Sequence, residues 1–456
     1  MSASGAEELV RSAGRFAWAV SLFGARRLAE SFGGDGSAEG FDPVTRAAEG
    51  QLGESLGAAF RAGNEIQRGM VDIAFDILTL RALTPGGMLR SALELARCSA
   101  ELARVVAPSR EGRLAWQEFR NKLEVYELFD DAEGKLRVVE GSACGPTELV
   151  ERAVALGPFR SVWVMEGAGH FYAEAAWQRE RGAPVGLLTD AVTSRGRAAL
   201  HAGMGLAFAS RVLQNVGGAQ ERDALRRALR RFAALCRDNS HAAYVGAAYE
   251  ALGLVARNLH PQLIEAIDEL LAEDPVELNE YFWHGVGRAI YFAPTNLPPF
   301  GDTALRAIES ARREPPHDAG RRNALAGVVW ALTLVNLRQP EFVESLLARC
   351  GARLPDYDAF RNGVASALVV WRDSTREDDP CLAAWRGHRA GPRDSRAAEL
   401  WNGLVSRPSE EALERIHPAL ERRGRLGEVF RYQSLERLAV EADDVRTHGG
   451  SAEGAA

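Results

Sequence analysis

HAGMGLAFASRVL (201–213) and WHGVGRAIYFAP (283–294) decide the fold. Each is an almost uncharged stretch of helical length with glycines inside it. A glycine in a helix interior costs roughly 1 kcal/mol relative to alanine, so a chain that keeps it needs a reason. Five more stretches share the pattern: MEGAGHFYAEAAW (165–177), YVGAAYEALGLVA (244–256), LAGVVWALTLVNL (325–337), RNGVASALVVW (361–371) and WNGLV (401–405). Aligned on Gly167, Gly203, Gly246, Gly285, Gly327, Gly363 and Gly403, the steps are 36, 43, 39, 42, 36 and 40 residues. A period near 40 predicts tandem α-hairpin repeats. The reason for the glycines is then close helix–helix approach, with close approach of a ligand to the backbone as the second explanation.

Between these stretches lie amphipathic Arg/Glu-rich segments such as ERDALRRALRRFAALC (221–236) and PEFVESLLARC (340–350), often opened by proline, as at Pro261, Pro340 and Pro408. Proline suits a first helical turn. Each repeat thus reads as an uncharged inner helix A followed by a charged outer helix B. The run LRRALRRF (225–232) is most simply a solvated helix face. The fold class is all-α, either an open solenoid with a concave face or a closed toroid with a central cavity.

The repeat domain spans 146–440. Residues 1–110 read as an N-terminal helical region, with helices over 5–31, 44–80 and 88–106, a Gly/Ser linker GGDGSAEGFDP (33–43) and a break at Pro85-Gly86-Gly87. Its simplest role is oligomerisation or docking. Residues 111–145 are transitional: WQEFRNKLEVYELF (116–129) looks helical, and KLRVVEG (135–141) alternates like a short strand. Residues 441–456 read as a disordered tail.

Composition removes several function classes. Hydrophobic residues make up 46% of the 456 and charged residues 26%, which supports a packed core and excludes global disorder. The net charge of −7 argues against a nucleic-acid partner. Only Lys122 and Lys135 are lysine among 55 basic residues, a bias that fits a GC-rich bacterial genome. Five scattered cysteines, Cys98, Cys144, Cys236, Cys350 and Cys381, with no CxxC pair, argue against a disulfide framework or zinc ribbon. They place the chain in a reducing cytoplasm. No run reaches the ~18 apolar residues of a spanning helix. FAWAVSLFGA (16–25) lacks a cleavage site and suits a partner-facing or membrane-surface helix better than a signal peptide.

The inner helices carry the candidate chemistry. Glu166, His170 and Glu174 stand at i, i+4 and i+8, so they share one helical face. Carboxylate and imidazole at that spacing suit a metal or an acid/base pair, and equally a hydrogen-bonded interhelical cluster. His201 precedes a glycine pair. His284 and Arg288 are one turn apart, and a buried arginine needs a partner, with Glu166 or a ligand anion as the candidates. Glu250, Asn336, Asn362 and Asn402 are weaker candidates. Trp163, Phe171, Phe208, Tyr244, Trp283, Tyr291, Trp330 and Trp371 are core filling in the bland reading. In the functional one they line an elongated apolar cavity for a polyene, acyl or isoprenoid chain. Walker A, GxSxG and HExxH motifs are absent, and no GxGxxG follows a strand. Asp130-Asp131-Ala132-Glu133 and Glu377-Asp378-Asp379 resemble the acidic clusters that bind Mg²⁺-diphosphate, though a solvated loop explains either.

GPFRSVWVMEGAG (157–169), LHAGMGLAFASR (200–211) and FWHGVGRAIYF (282–292), with FRNGVASALVVW (360–371) as a fainter echo, resemble segments of the UnbL-type enediyne biosynthesis family. This family, of unassigned activity, is encoded beside enediyne polyketide synthases. The likeness covers about residues 146–390. It implies a role with a polyketide or similar polyunsaturated product, and it carries over Glu166, His201 and Arg288.

The expected function is therefore a biosynthetic protein that binds a long apolar polyene or isoprenoid chain between the aromatics. Glu166, His170, His201, His284 and Arg288 form its polar end, with a proton-driven cyclisation or isomerisation as the step. No cofactor is expected. The alternatives are a terpene-cyclase-like enzyme, the one reading that would use Mg²⁺, and a non-catalytic scaffold docking a synthase or carrier protein.

Overall fold

The computed structural model describes residues 109–440 apart from 139–143, 181–182, 190–194, 215, 217–220, 274–277, 298, 300–301, 376–378 and 392–394. The N-terminal helices expected over 5–31, 44–80 and 88–106, with the membrane-surface segment 16–25, and the tail 441–456 lie outside them.

Among the described residues the chain is helical, with no β-strand and one isolated bridge between Leu188 and Ser240. Helix α1 (Arg110–Asp130) opens with Ser109, whose hydroxyl accepts from the Gly112 N–H. The strand expected over 135–141 does not form in its described part. Lys135 and Leu136 instead close a short helix α2 (Ala132–Leu136), and Arg137 ends it in the left-handed region at φ 54°. Burial of Leu136 in the core and the left-handed cap outweigh the alternating pattern. Next come α3 (Pro146–Val154) and the long α4 (Pro158–Glu180).

Among the described residues, six largely apolar helices follow one another through the core. They are α4, α5 (Arg197–Leu213), α7 (Val245–Leu259), α9 (Leu278–Phe292), α11 (Asp318–Val335) and α13 (Tyr357–Ser374). The helices between them are α6 (Arg222–Asn239), α8 (Ile264–Ala272), α10 (Thr303–Arg313) and α12 (Pro340–Cys350). Successive core helices pack on each other in order, and α13 also meets α5 and α4. Helix α1 packs on α4, α11 and α12, so the described residues before 146 belong to the same packed unit as the core helices.

Neighbouring core helices run parallel. Arg211 of α5 pairs with Glu174 of α4, and Gly203 of α5 lies beside Glu166 of α4, so position advances together on both helices. Glycine sets the separation. A methyl carbon on Gly203 would stand 1.8 Å from the Glu166 carbonyl oxygen, one on Gly285 2.0 Å from that of Glu250, and one on Gly327 2.0 Å from that of His284. No side chain fits at such a crossing. Three of the seven aligned glycines behave differently. Gly167 lies against the Phe129 carbonyl of α1, Gly246 faces the Gly427 carbonyl near the C-terminus, and Gly403 meets nothing within 4 Å.

Helices α14 (Pro380–Gly387), α15 (Ser395–Trp401), α16 (Arg407–Glu411) and α17 (His417–Arg423) follow, the last three joined by wide turns over Asn402–Ser406 and Ala412–Ile416. A tight turn over Leu426–Phe430 precedes α18 (Leu435–Val440). The strap from 427 to 433 crosses the N-terminal ends of four core helices in order. Gly427 meets Gly246 of α7, and Glu428 accepts from the Tyr281 hydroxyl of α9. The Tyr432 N–H donates to Asn323 of α11 at 2.6 Å, and the Gln433 carbonyl accepts from Asn362 of α13 at 2.7 Å.

Candidate functional site

The glycine contacts bring the polar residues together. His284 and Arg288 stand one turn apart on α9. Gly285 between them rests on the Glu250 carbonyl, so both side chains reach the Glu250 carboxylate on α7. Arg288 Nη1 donates to Glu250 Oε2 at 2.6 Å, and Nη2 donates to both oxygens of Glu166 on α4 at 2.8 and 3.0 Å. His284 Nδ1 lies 2.8 Å from Glu250 Oε1. A carboxylate only accepts, so that nitrogen carries a proton. Glu250 and His284 are 0% exposed, Arg288 3% and Glu166 6%. Glu166, His284 and Arg288 thus meet as the sequence suggests. Arg288 is the residue that joins the carboxylates of α4 and α7, and Glu250, ranked among the weaker candidates, is the one that holds both His284 and Arg288 of α9.

Electrostatics divide the two carboxylates. Burial pushes Glu166 up, Arg288 pulls it down, and the neighbouring Glu250 adds to the rise, so its carboxyl ends above its ordinary value. Burial also acts on Glu250, but Arg288 and the His284 hydrogen bond together outweigh it, so Glu250 ends below. For Arg288 burial opposes the charge, and the two carboxylates more than compensate, leaving it raised. The guanidinium occupies the point between the carboxylates where a cation would sit. Among the described residues, no three His, Cys, Asp or Glu side chains are grouped to hold a metal ion.

Aromatic rings wall the cluster. The Arg288 guanidinium lies 4.5 Å over the Trp330 ring, which stands edge-on to Trp163 at 6.5 Å. His284 is edge-on to Trp330 at 6.3 Å and to Phe430 of the strap at 6.4 Å. Among the described residues, four buried polar atoms here have no hydrogen-bond partner: Trp163 Nε1, Trp330 Nε1, His284 Nε2 and Arg288 Nε.

The other expected site residues go elsewhere. His201 donates from Nδ1 to the Arg197 carbonyl at 2.7 Å and accepts the His241 N–H on Nε2 at 3.1 Å. Burial pushes its pKa down to about 4, so it is a neutral structural link, stacked on Tyr244 at 5.4 Å. The Tyr244 hydroxyl donates to Asp373 Oδ1 at 3.1 Å, and Asp373 Oδ2 faces the Ala198 N–H at 3.5 Å. His170 lies against the Phe129 ring at 5.9 Å, and Glu174 is held by Arg211. The shared face of Glu166, His170 and Glu174 therefore serves three separate contacts.

Several expected lining aromatics have their polar ends taken by protein partners. The Trp283 indole donates to Asp268 at 2.7 Å, the Tyr291 hydroxyl to Glu118 at 2.6 Å, and the Trp371 indole to Asp379. Phe208 packs on Trp177, and Phe171 is part-buried against the core. Asn336 donates to Tyr291 and Asn362 to the strap. Of the acidic clusters, Asp131 pairs with Lys135 at 3.7 Å and Asp379 caps α14 through the Cys381 N–H. Glu377 and Asp378 lie outside the described residues. No described helix is long and apolar enough to cross a membrane.

Comparison with protein-family models, with curated proteins and with solved structures finds no match.

Proposed function

We propose that this chain binds a long apolar, unsaturated small molecule, a polyene or isoprenoid, against the Arg288 cluster, and that a proton moves at His284 to isomerise or cyclise it. One observation carries the reading: four polar atoms of Trp163, Trp330, His284 and Arg288 are buried together, without partners among the described residues, inside an aromatic wall. Each such atom costs about 1–3 kcal/mol, a cost that a ligand group would relieve. His284 is the better proton carrier. Both Glu166 oxygens are held by Arg288, whereas Glu250 fixes Nδ1 of His284 and leaves Nε2 free. Nε2 takes a proton from one carbon and returns it to another, so the composition of the molecule is unchanged.

The six parallel core helices are α-hairpin repeats that close into an α/α ring. The return of α13 to α4 and α5 supports closure. The resemblance to the UnbL-type enediyne biosynthesis family, carried on Glu166, His201 and Arg288, supports a polyketide-related product, and the scattered cysteines support a cytoplasmic setting. A scaffold that docks a synthase or carrier protein is the second reading. It is favoured by Trp283, Tyr291 and Trp371, whose polar ends are already satisfied. The isoprenoid-diphosphate reading with Mg²⁺ is weaker, because Asp379 is committed to a helix cap.

Solvent extraction of the purified, unwashed protein followed by mass spectrometry tests the binding reading. A co-purifying polyene or isoprenoid near one per chain supports it, and its loss in a folded His284→Gln variant assigns it to this site. An empty protein with a stable protein partner in a pull-down favours the scaffold.

A further inference from the structure

The charges around His284 and the strap residue beside it together define which end of a molecule this site accepts. The groups in contact are two carboxylates, Glu166 and Glu250, and one guanidinium, Arg288. With all three ionised they sum to one negative charge, and Arg288 is already shared by both carboxylates. A second anion would find no free cation and would be repelled at short range in a medium of low dielectric. The groups left over are the neutral indole N–H groups of Trp163 and Trp330, one guanidinium N–H and the Nε2 of His284. These pair with an uncharged polar group.

The strap supplies the shape. Phe430 is buried, its ring 6.0 Å from Trp330 and 6.4 Å from His284, so a flat apolar group already rests against two of the four residues whose nitrogens lack a partner among the described residues. The strap holds there through few polar contacts: Tyr432 to Asn323, Gln433 to Asn362, and the Glu428–Arg431 pair with Tyr281 and Glu280. Among the described residues it is the one part of this wall that is not a core helix.

We propose that the site takes the uncharged, hydroxyl-bearing end of a flat unsaturated molecule, rejects carboxylates and diphosphates, and is occluded by Phe430, whose slot the ligand takes. This rests on the binding reading above and adds the class of ligand and the residue it displaces. The molecule must therefore be supplied by a reaction that has released it from any carboxylate or diphosphate form.

Retinol and retinoic acid share one polyene and differ only in a hydroxyl or carboxylate end. Their binding to the full chain is read by quenching of tryptophan fluorescence. The expected result is retinol binding at least about tenfold tighter than retinoic acid. Phe430→Ala, or Phe430→Leu if the alanine variant does not hold its circular dichroism and melting temperature, is expected to tighten retinol binding by about tenfold. Glu166→Gln should narrow the gap between the two probes. Retinoic acid binding as tightly as retinol overturns the charge inference, and unchanged retinol affinity in both folded Phe430 variants overturns the occlusion. Neither failure touches the binding reading if extraction yields a native compound. Failure of every variant to bind either probe, with an empty extract, overturns the two together.

Discussion

Gly285 rests on the backbone carbonyl of Glu250, where a methyl carbon would come within 2.0 Å of the oxygen and 3.0 Å of the Leu254 nitrogen. Both neighbours are backbone and cannot turn aside. In an open helix Gly→Ala gains about 1 kcal/mol. Here the same change forces α7 and α9 apart, and Gly285→Ala is expected to lose about 3 kcal/mol or more. Gly403 meets nothing within 4 Å, so Gly403→Ala should be neutral or stabilising. Denaturant midpoints of the two variants check the contrast. Equal effects would mean that close approach is not what glycine provides at 285.

Removing Arg288 leaves two carboxylates facing each other without a cation. Arg288→Met is expected to cost about 3–5 kcal/mol. Adding Glu166→Gln and Glu250→Gln to it should recover most of that loss, because the uncompensated charge goes with them. A double-mutant cycle on Arg288 and Glu250 should therefore show strong coupling. Additive losses would place the cost in packing against Trp330 instead.

The seam where α13 meets α5 is predicted to respond to pH. Burial raises Asp373 from 3.8 to about 7. The unfolded chain therefore ionises it first, and stability present at low pH is lost as pH rises between those values. His201 acts in the opposite direction. Its pKa is lowered from 6.5 to about 4, so the stability of its neutral form is complete above 6.5 and lost as pH falls toward 4. Asp373→Asn keeps an acceptor for the Tyr244 hydroxyl and cannot ionise. Its melting temperature should gain on the wild type by a few degrees between pH 5 and pH 8. A constant difference across that range would show that Asp373 does not titrate there.

Helical class and close approach at Gly203, Gly285, Gly327 and Gly363 were legible because they follow from spacing along one strand of text. The i, i+4 relation of His284 and Arg288 was legible for the same reason. Glu250 was harder to rank, since it sits 34 and 38 residues before its partners and helical periodicity does not link those distances. Tyr244 and Asp373, 129 residues apart, meet only because α13 returns to α5. Half of the strap's contacts left no mark in the sequence: Gly427, Tyr432 and Gln433 act through backbone groups, which any residue type offers, and the side chains of Glu428, Phe430 and Arg431 follow no helical period. Gly246 was aligned by its period and yet faces the strap, while Gly205, not counted in the repeat, makes the α5–α7 contact against Ala248.

Lys122 offers a comparison with Arg288 in which the burial is the same and the partners differ. It is one of the two lysines, fully buried, with Nζ 3.1 Å from Glu118 Oε1, 2.9 Å from the Asn296 carbonyl and 4.0 Å over the Tyr291 ring. Burial is the largest influence on it and lowers its pKa despite the opposing pull of Glu118. Lys122→Met would leave Glu118 still accepting from the hydroxyls of Tyr291 at 2.6 Å and Thr303 at 3.3 Å. Glu166 has no such donors in reserve beside Arg288, whose Nη2 serves both its oxygens. Lys122→Met is therefore expected to cost less than Arg288→Met, about 1–3 kcal/mol. Lys122→Met with Glu118→Gln should be close to Lys122→Met alone, because the two hydroxyls, not the ammonium, then satisfy the group. Urea titrations of the three variants decide it. A Lys122→Met loss as large as that of Arg288→Met would mean that hydroxyl donors do not substitute for a cation at a buried carboxylate in this core.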